Sequence, residues 1–197
     1  MIHPLSRPHV SILGAPTLDR VDDVVFVCRY FTHCLSCTFC EDACCKHGVD
    51  VDEPTMLRIL AHGSAIEDAI GVPRDAWFLP DLVVDSEHPG GRYTRTRVRD
   101  GYCVFRTPSA RGCALHRHAL ASGIDYHDLK PMVSALFPLT FDEGLLHAST
   151  EVEDGTLICG GEGPTLYRGA REELAYYFGE ALVRELDTLD LKCPNRA

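Results

Sequence analysis

The sequence predicts an α+β fold: a single domain (residues 1–197) with a small antiparallel sheet, a cysteine-rich loop and a long C-terminal helix. Three observations carry this prediction. Short apolar runs separated by Pro-Gly-Gly and Asp-Gly turn signals fill the middle of the chain, five cysteines crowd between Cys34 and Cys45, and apolar residues recur at helical spacing near the C-terminus.

In order along the chain, Val24 to Cys28 reads as a short buried strand, being a continuous apolar run of strand length. The segment Cys34 to Cys45 follows, too dense in turn-compatible residues to be regular. Asp52 can cap a helix with Glu53 and Pro54 in its first turn and Met56, Leu57 and Leu60 on its apolar face, stopping at His62 and Gly63. Ser64 can cap a second short helix to Ile70. Leu82 to Asp85 and Arg92 to Val98 read as antiparallel strands around Pro89, Gly90 and Gly91, and Asp100-Gly101 marks another turn. Cys113 to Ala121 reads as a helix closed near Gly123. Met132 to Phe141 and Leu145 to Val152 read as a hairpin around Asp142, Glu143 and Gly144. From Thr165 to about Asp187, Leu166, Ala170, Leu174, Tyr177 and Ala181 form an apolar stripe with Arg171, Glu172, Glu180, Arg184 and Glu185 largely opposite. Gly179 costs about 1 kcal/mol there relative to alanine, too little on propensity alone to break the pattern.

At 197 residues and 45% hydrophobic content, the chain can bury a core without disulfide staples, so its ten cysteines call for a chemical explanation. The segment Met1 to Leu13 lacks the basic-then-apolar pattern of a signal peptide, and no run reaches the roughly 18 apolar residues of a membrane span, so a soluble protein of the reducing cytoplasm is expected. With a formal charge of −10 and no basic stripe, nucleic acid and membrane are not expected partners, which leaves a protein or small molecule. The basic alternation of Arg92, Arg95, Arg97 and Arg99 reads as a solvated strand edge.

Cys34, Cys37, Cys40 and Cys44 are spaced C-x2-C-x2-C-x3-C, the run that wraps a [4Fe-4S] cube in bacterial ferredoxins. Short connections let successive sulfurs face one cluster while backbone N–H groups offset its charge, so this segment is expected to be the metal-binding loop, with reduced or disulfide-paired cysteines as the metal-free alternative. Cys45 stands where such runs carry proline, and no second run exists, so a remote ligand is expected. Cys103, Cys113 and Cys159 each lie beside a turn signal: Asp100-Gly101, Arg111-Gly112 and Gly160-Gly161. Zinc competes directly, since four thiolates close a tetrahedral site and His33, His47 or His116 could replace one of them. Adjacent Cys44 and Cys45 cannot both face one way on extended backbone. Cys28 and Cys193 have no metal-ligand spacing and read as a buried strand thiol and a tail cysteine.

These residues resemble the cysteine-cluster proteins of the YkgJ type, zinc- or iron-chelating, and their relative flagellin lysine N-methylase. The resemblance spans about Phe26 to Asp187. It rests on the C-x3-CC core at Cys40, Cys44 and Cys45, the phrases Gly101-Tyr102-Cys103-Val104-Phe105 and Gly112-Cys113-Ala114-Leu115-His116, the stretch from Lys130-Pro131 to Phe137-Pro138, and the late Cys159. Ser134 stands where the resemblance leads one to expect cysteine. It implies metal binding more firmly than any reaction.

Three functions follow as expectations. The first is a metal protein holding an iron–sulfur cluster. The second is a metalloenzyme with an open site, for which the methylase relative implies S-adenosylmethionine, although no Gly-rich nucleotide turn follows a strand and the radical-enzyme C-x3-C-x2-C spacing is absent. The third is a zinc-stabilised module for basic partner proteins. Gly160, Gly161 and Gly163 read as a helix-start turn rather than an anion seat.

Overall fold

The computed structural model describes residues 1–31, Leu35, 39–108 and 110–193. Among them the strands are β1 (Ile2–Val10), β2 (Thr17–Asp22), β3 (Arg29–Tyr30), β4 (Asp50–Asp52), β5 (Val83–Val84), β6 (Arg92–Arg95), β7 (Val98–Arg99), β8 (Tyr102–Cys103), β9 (Leu139–Asp142), β10 (Leu145–Ala148) and β11 (Gly160–Thr165). The α-helices are α1 (Glu53–Ala61), α2 (Gly63–Ile70), α3 (Ala114–Ser122), α4 (Met132–Leu136), α5 (Thr150–Glu153), α6 (Leu166–Phe178) and α7 (Glu180–Lys192). Helices with several small, mainly antiparallel sheets make the class α+β, as the sequence predicts. Contacts gather the chain into two compact units, Met1–Thr32 with Leu136–Ala197, and His33–Ala135.

In the discontinuous unit, four strands run in the order β1-β2-β10-β9. The β9–β10 hairpin turns through Glu143 (φ 48°) and Gly144 (φ 82°), two left-handed residues whose twist matches that of the flanking strands. β10 then lies parallel to β2, with Leu145 opposite Arg20 and Leu146 opposite Val21. The expected hairpin is shorter than Met132 to Val152, because Met132–Leu136 forms α4 and Thr150–Glu153 forms α5. Val24 to Cys28 is likewise no strand: Asp22 accepts the Val24 N–H (3.1 Å) and caps a 3-10 turn over Asp23–Phe26 that buries Val25 and Phe26. A five-residue apolar run carries no period that separates these outcomes.

Leu18, Val21, Leu139 and Leu146 from the sheet are fully buried, as are Leu166, Leu174, Leu182 and Leu186 from α6 and α7. Each such side chain contributes roughly 1.5–3 kcal/mol relative to exposure. Thr165 caps α6 by accepting the Arg168 N–H. The C-terminal helical region is two helices, since Gly179 (φ 80°, ψ 167°) adopts a backbone conformation essentially confined to glycine and redirects the chain into α7.

In the unit spanning His33–Ala135, Asp52 caps α1 by accepting the Thr55 N–H (2.8 Å). α2 starts one residue before Ser64, at Gly63. β6 pairs with β4 and β5, and β7 pairs with β8 across the Asp100-Gly101 turn. The core holds Val51, Ile59, Ile66, Trp77, Phe105 and Leu115, with Cys103 and Cys113 packed against it. Trp77 satisfies its indole N–H on the Val72 carbonyl (2.8 Å). Gly123 closes α3 in the left-handed conformation. No helix among the described residues is long and apolar enough to cross a membrane.

Candidate metal centre

Cys34 and Cys37, with His33, lie outside the described residues. From Cys40 onward the loop is tightly folded. Ala43 N–H donates to the Cys40 carbonyl (2.9 Å) and Cys45 N–H to the Asp42 carbonyl (2.8 Å), closing a 3-10 turn over Ala43–Cys45. Two successive non-glycine residues, Glu41 (φ 50°) and Asp42 (φ 58°), are left-handed. Such strain persists only where surrounding structure holds it.

That hold is visible at Asp42, whose carboxylate is almost completely buried. Its Oδ2 accepts the Arg106 Nε–H (3.0 Å), its Oδ1 accepts the Gly112 N–H (3.2 Å), and Arg111 Nε lies 3.7 Å from Oδ1. A buried carboxylate met by a guanidinium and a backbone donor is a charge-assisted clasp. It fastens the segment bearing Cys40, Cys44 and Cys45 to the loop that leads into Cys113.

The same loop positions two further cysteines. Arg106 N–H donates to the Cys103 carbonyl and Thr107 N–H to the Gly112 carbonyl (both 2.9 Å), Ala114 N–H donates to the Phe105 carbonyl (2.8 Å), and Arg106 pairs with Cys113 across an isolated bridge. Arg106 also stacks over the Tyr102 ring, 4.2 Å from its centroid. Cys113 precedes α3 directly. The Cys103 thiol donates to Thr96 Oγ1 (3.4 Å), and burial pushes its pKa up against the opposing pull of Thr96, the Phe105 N–H and Arg95. Arg111 extends Nη2 to within 3.7 Å of the Cys40 sulfur, a cation placed to favour thiolate.

Cys40, Cys44, Cys45, Cys103 and Cys113 thus belong to one unit, and Cys159 to the other. Cys159 is buried, its carbonyl accepting the Phe31 N–H (3.3 Å). Among the described residues, no group of three or more His, Cys, Asp or Glu side chains is arranged to hold a single metal ion. The donor set suits a soft metal or cluster in its chemistry. His116 stacks on Tyr126 (centroids 4.5 Å apart), His47 is exposed, and Ser134 lies half-buried in α4.

Other candidate features have structural duties. Arg92 pairs with Glu53 (2.7 Å) and Arg95 with Asp50 (2.6 Å), Arg97 donates to the Phe78 carbonyl (2.8 Å), and Arg99 lies 3.6 Å from Asp100. Gly163 lets β11 approach β3, since a Cβ there would stand 2.9 Å from the Tyr30 carbonyl oxygen. Burial raises the Cys28 thiol pKa, aided by Glu153, and that of Cys193, aided by Asp23 and Asp190. Sequence reasoning passes over Asp42, Arg106 and Arg111. The only signals available are two acids, Glu41 and Asp42, inside the C-x3-C spacing and two arginines within seven residues ahead of Cys113. Neither a family model nor a solved structure matches the chain.

Proposed function

We propose that this chain is a metal-binding protein of the YkgJ-type cysteine-cluster kind, holding an iron–sulfur cluster, [4Fe-4S], through thiolates of the Cys34 to Cys45 segment and distant cysteines. The observation that supports the reading is the Asp42 clasp. A buried carboxylate, two arginines and a backbone N–H are spent on fixing a strained loop whose neighbours are sulfur donors. Cys40, Cys44 and Cys45 come from that loop, with Cys103 and Cys113 as remote donors, Cys34 and Cys37 completing the spacing, and Cys159 the further candidate. When bound, such a cluster supplies one-electron chemistry or an open iron for a ligand. The chain's own part is to hold the sulfurs, exclude water around Cys40 and place the Arg111 and Arg106 cations beside a negative centre. A reducing, cytoplasmic setting follows from thiolate ligation.

The test is anaerobic purification with metal and sulfide analysis and a visible spectrum, repeated with Cys40, Cys44, Cys103 and Cys113 each changed to Ser. The expected result is a brown protein with stoichiometric iron and sulfide, and iron content that falls in these variants while Cys193→Ser leaves it unchanged. A colourless protein with one equivalent of zinc overturns the cluster and leaves a zinc-stabilised module. Undiminished iron in every variant overturns the ligand assignment.

A further inference from the structure

A second site lies in the other unit, at the junction of β1 and α7. β1 departs from regular pairing between Pro4, opposite Arg20, and His9, opposite Leu18. Four residues, Leu5 to Pro8, therefore face the single residue Asp19 of β2. A bulge of this kind releases the backbone from its ladder and re-aims side chains. Here the freed Ser6 N–H donates to Glu185 Oε1 (2.5 Å), and the Ser6 hydroxyl donates to Oε2 (2.8 Å). The buried His9 ring meets the same oxygen through Nε2 (3.3 Å). Between the bulge and the helix runs a groove of about 480 Å³.

Its rim carries Arg7 from the bulge and Arg184 and Lys192 from α7, all three exposed. Arg184, Thr188 and Lys192 stand one turn apart on a single helix face. None of the three cations pairs with a carboxylate among the described residues, in contrast to Arg168 and Arg171, which bind Asp190 and Asp187 of the same helix. Glu185 is the one acidic residue among the described residues lining the groove, and both its oxygens are engaged by Ser6 and His9. Burial would raise its pKa, but those partners hold it below the usual carboxylate range. Three unspent cations against one committed carboxylate, on a chain of formal charge −10, make a local positive field.

We propose that this groove binds a small phosphate-bearing anion, clasped between the Arg7 guanidinium on one side and the Arg184 guanidinium and Lys192 ammonium on the other. Guanidinium forks match the oxygens of phosphate in pairs, and the lysine adds a point charge. The volume exceeds what a bare phosphate needs and falls in the range of small-ligand sites. The Leu189 side chain gives the organic portion of such a ligand an apolar wall.

The experiment is a calorimetric titration of the full chain, as purified, with pyrophosphate in low-salt buffer free of other polyanions, for wild type, Arg7→Gln/Arg184→Gln and the control Arg99→Gln. The expected result is one binding event, weakened at least about tenfold in the double variant, unchanged in the control, and weakened by added potassium chloride. Because Arg7 and Arg184 hold no ion pair among the described residues, the double variant should keep the wild-type melting temperature, and this is measured in parallel. No heat and no thermal shift at millimolar pyrophosphate overturns the proposal. Wild-type affinity in the double variant does so too, since the anion then sits elsewhere, for example on bound iron. Neither result touches the cysteine centre.

Discussion

Arg106 donates its Nε–H to the buried Asp42 carboxylate across 3.0 Å, joining two stretches of chain that each deliver cysteines. The Asp42→Asn variant keeps a side chain tolerant of the left-handed φ at that position while removing the charge. We expect a loss of about 2 kcal/mol in urea unfolding, within the span between a charged hydrogen bond and a broken buried ion pair, Arg106 being about one-third exposed. On the proposed cluster reading, iron content falls with it, because the variant loosens the loop that carries Cys40, Cys44 and Cys45.

The break between α6 and α7 rests on one backbone conformation. No atom would lie within 4 Å of a Cβ at Gly179, so Gly179→Ala meets no clash and its cost is purely conformational. About 1–3 kcal/mol of destabilisation is expected, read as a lower urea midpoint with an unchanged m-value. A gain in stability would mean that the two helices merge in the variant.

Tyr167 buries its ring edge-on to Phe26, with centroids 5.4 Å apart, and donates its hydroxyl to Asp187 Oδ1 (2.5 Å). Burial and the Asp187 carboxylate raise its pKa far above that of an ordinary phenol. Tyr167→Phe keeps the ring and removes the donor, so a loss of about 1–2 kcal/mol is expected in denaturant unfolding. Tyr167→Leu should cost more, because the ring contact goes as well.

His118 Nε2 faces His62 Nδ1 at 3.3 Å, and burial, with the neighbouring His62, lowers the His118 pKa. The unfolded chain therefore binds this proton more readily than the folded one. Stability should decline as pH falls through the ordinary imidazole range and level off below the lowered folded value. Replacing His118 with Asn should flatten that slope. Urea midpoints taken between about pH 7.5 and pH 5 would check it.

Where local signals are self-sufficient, the sequence is readable. Asp52 with Glu53 and Pro54 announces α1 almost to the residue, and Gly123 announces the end of α3. Where the outcome depends on a distant partner, it is not. β1 contains Pro4 and Pro8 and carries no clean alternation, yet pairs with β2, a strand that also pairs with β10 from more than a hundred residues further along the chain. Helix propensity alone penalises Gly179 only slightly, whereas its φ and ψ decide the break. At the candidate site, the cysteine spacing is plain in the sequence, but the Asp42 clasp joins residues more than sixty positions apart and no local pattern links them.

The parallel pairing of Arg20 with Leu145 has a consequence for biosynthesis. A ribosome delivers β1 and β2 well before β9 and β10, so their sheet stays incomplete until those strands emerge. The intervening cysteine-bearing unit leaves the exit tunnel whole in the meantime, and domains fold as units in order of synthesis. The strands that flank that unit in sequence are therefore the last to complete their sheet.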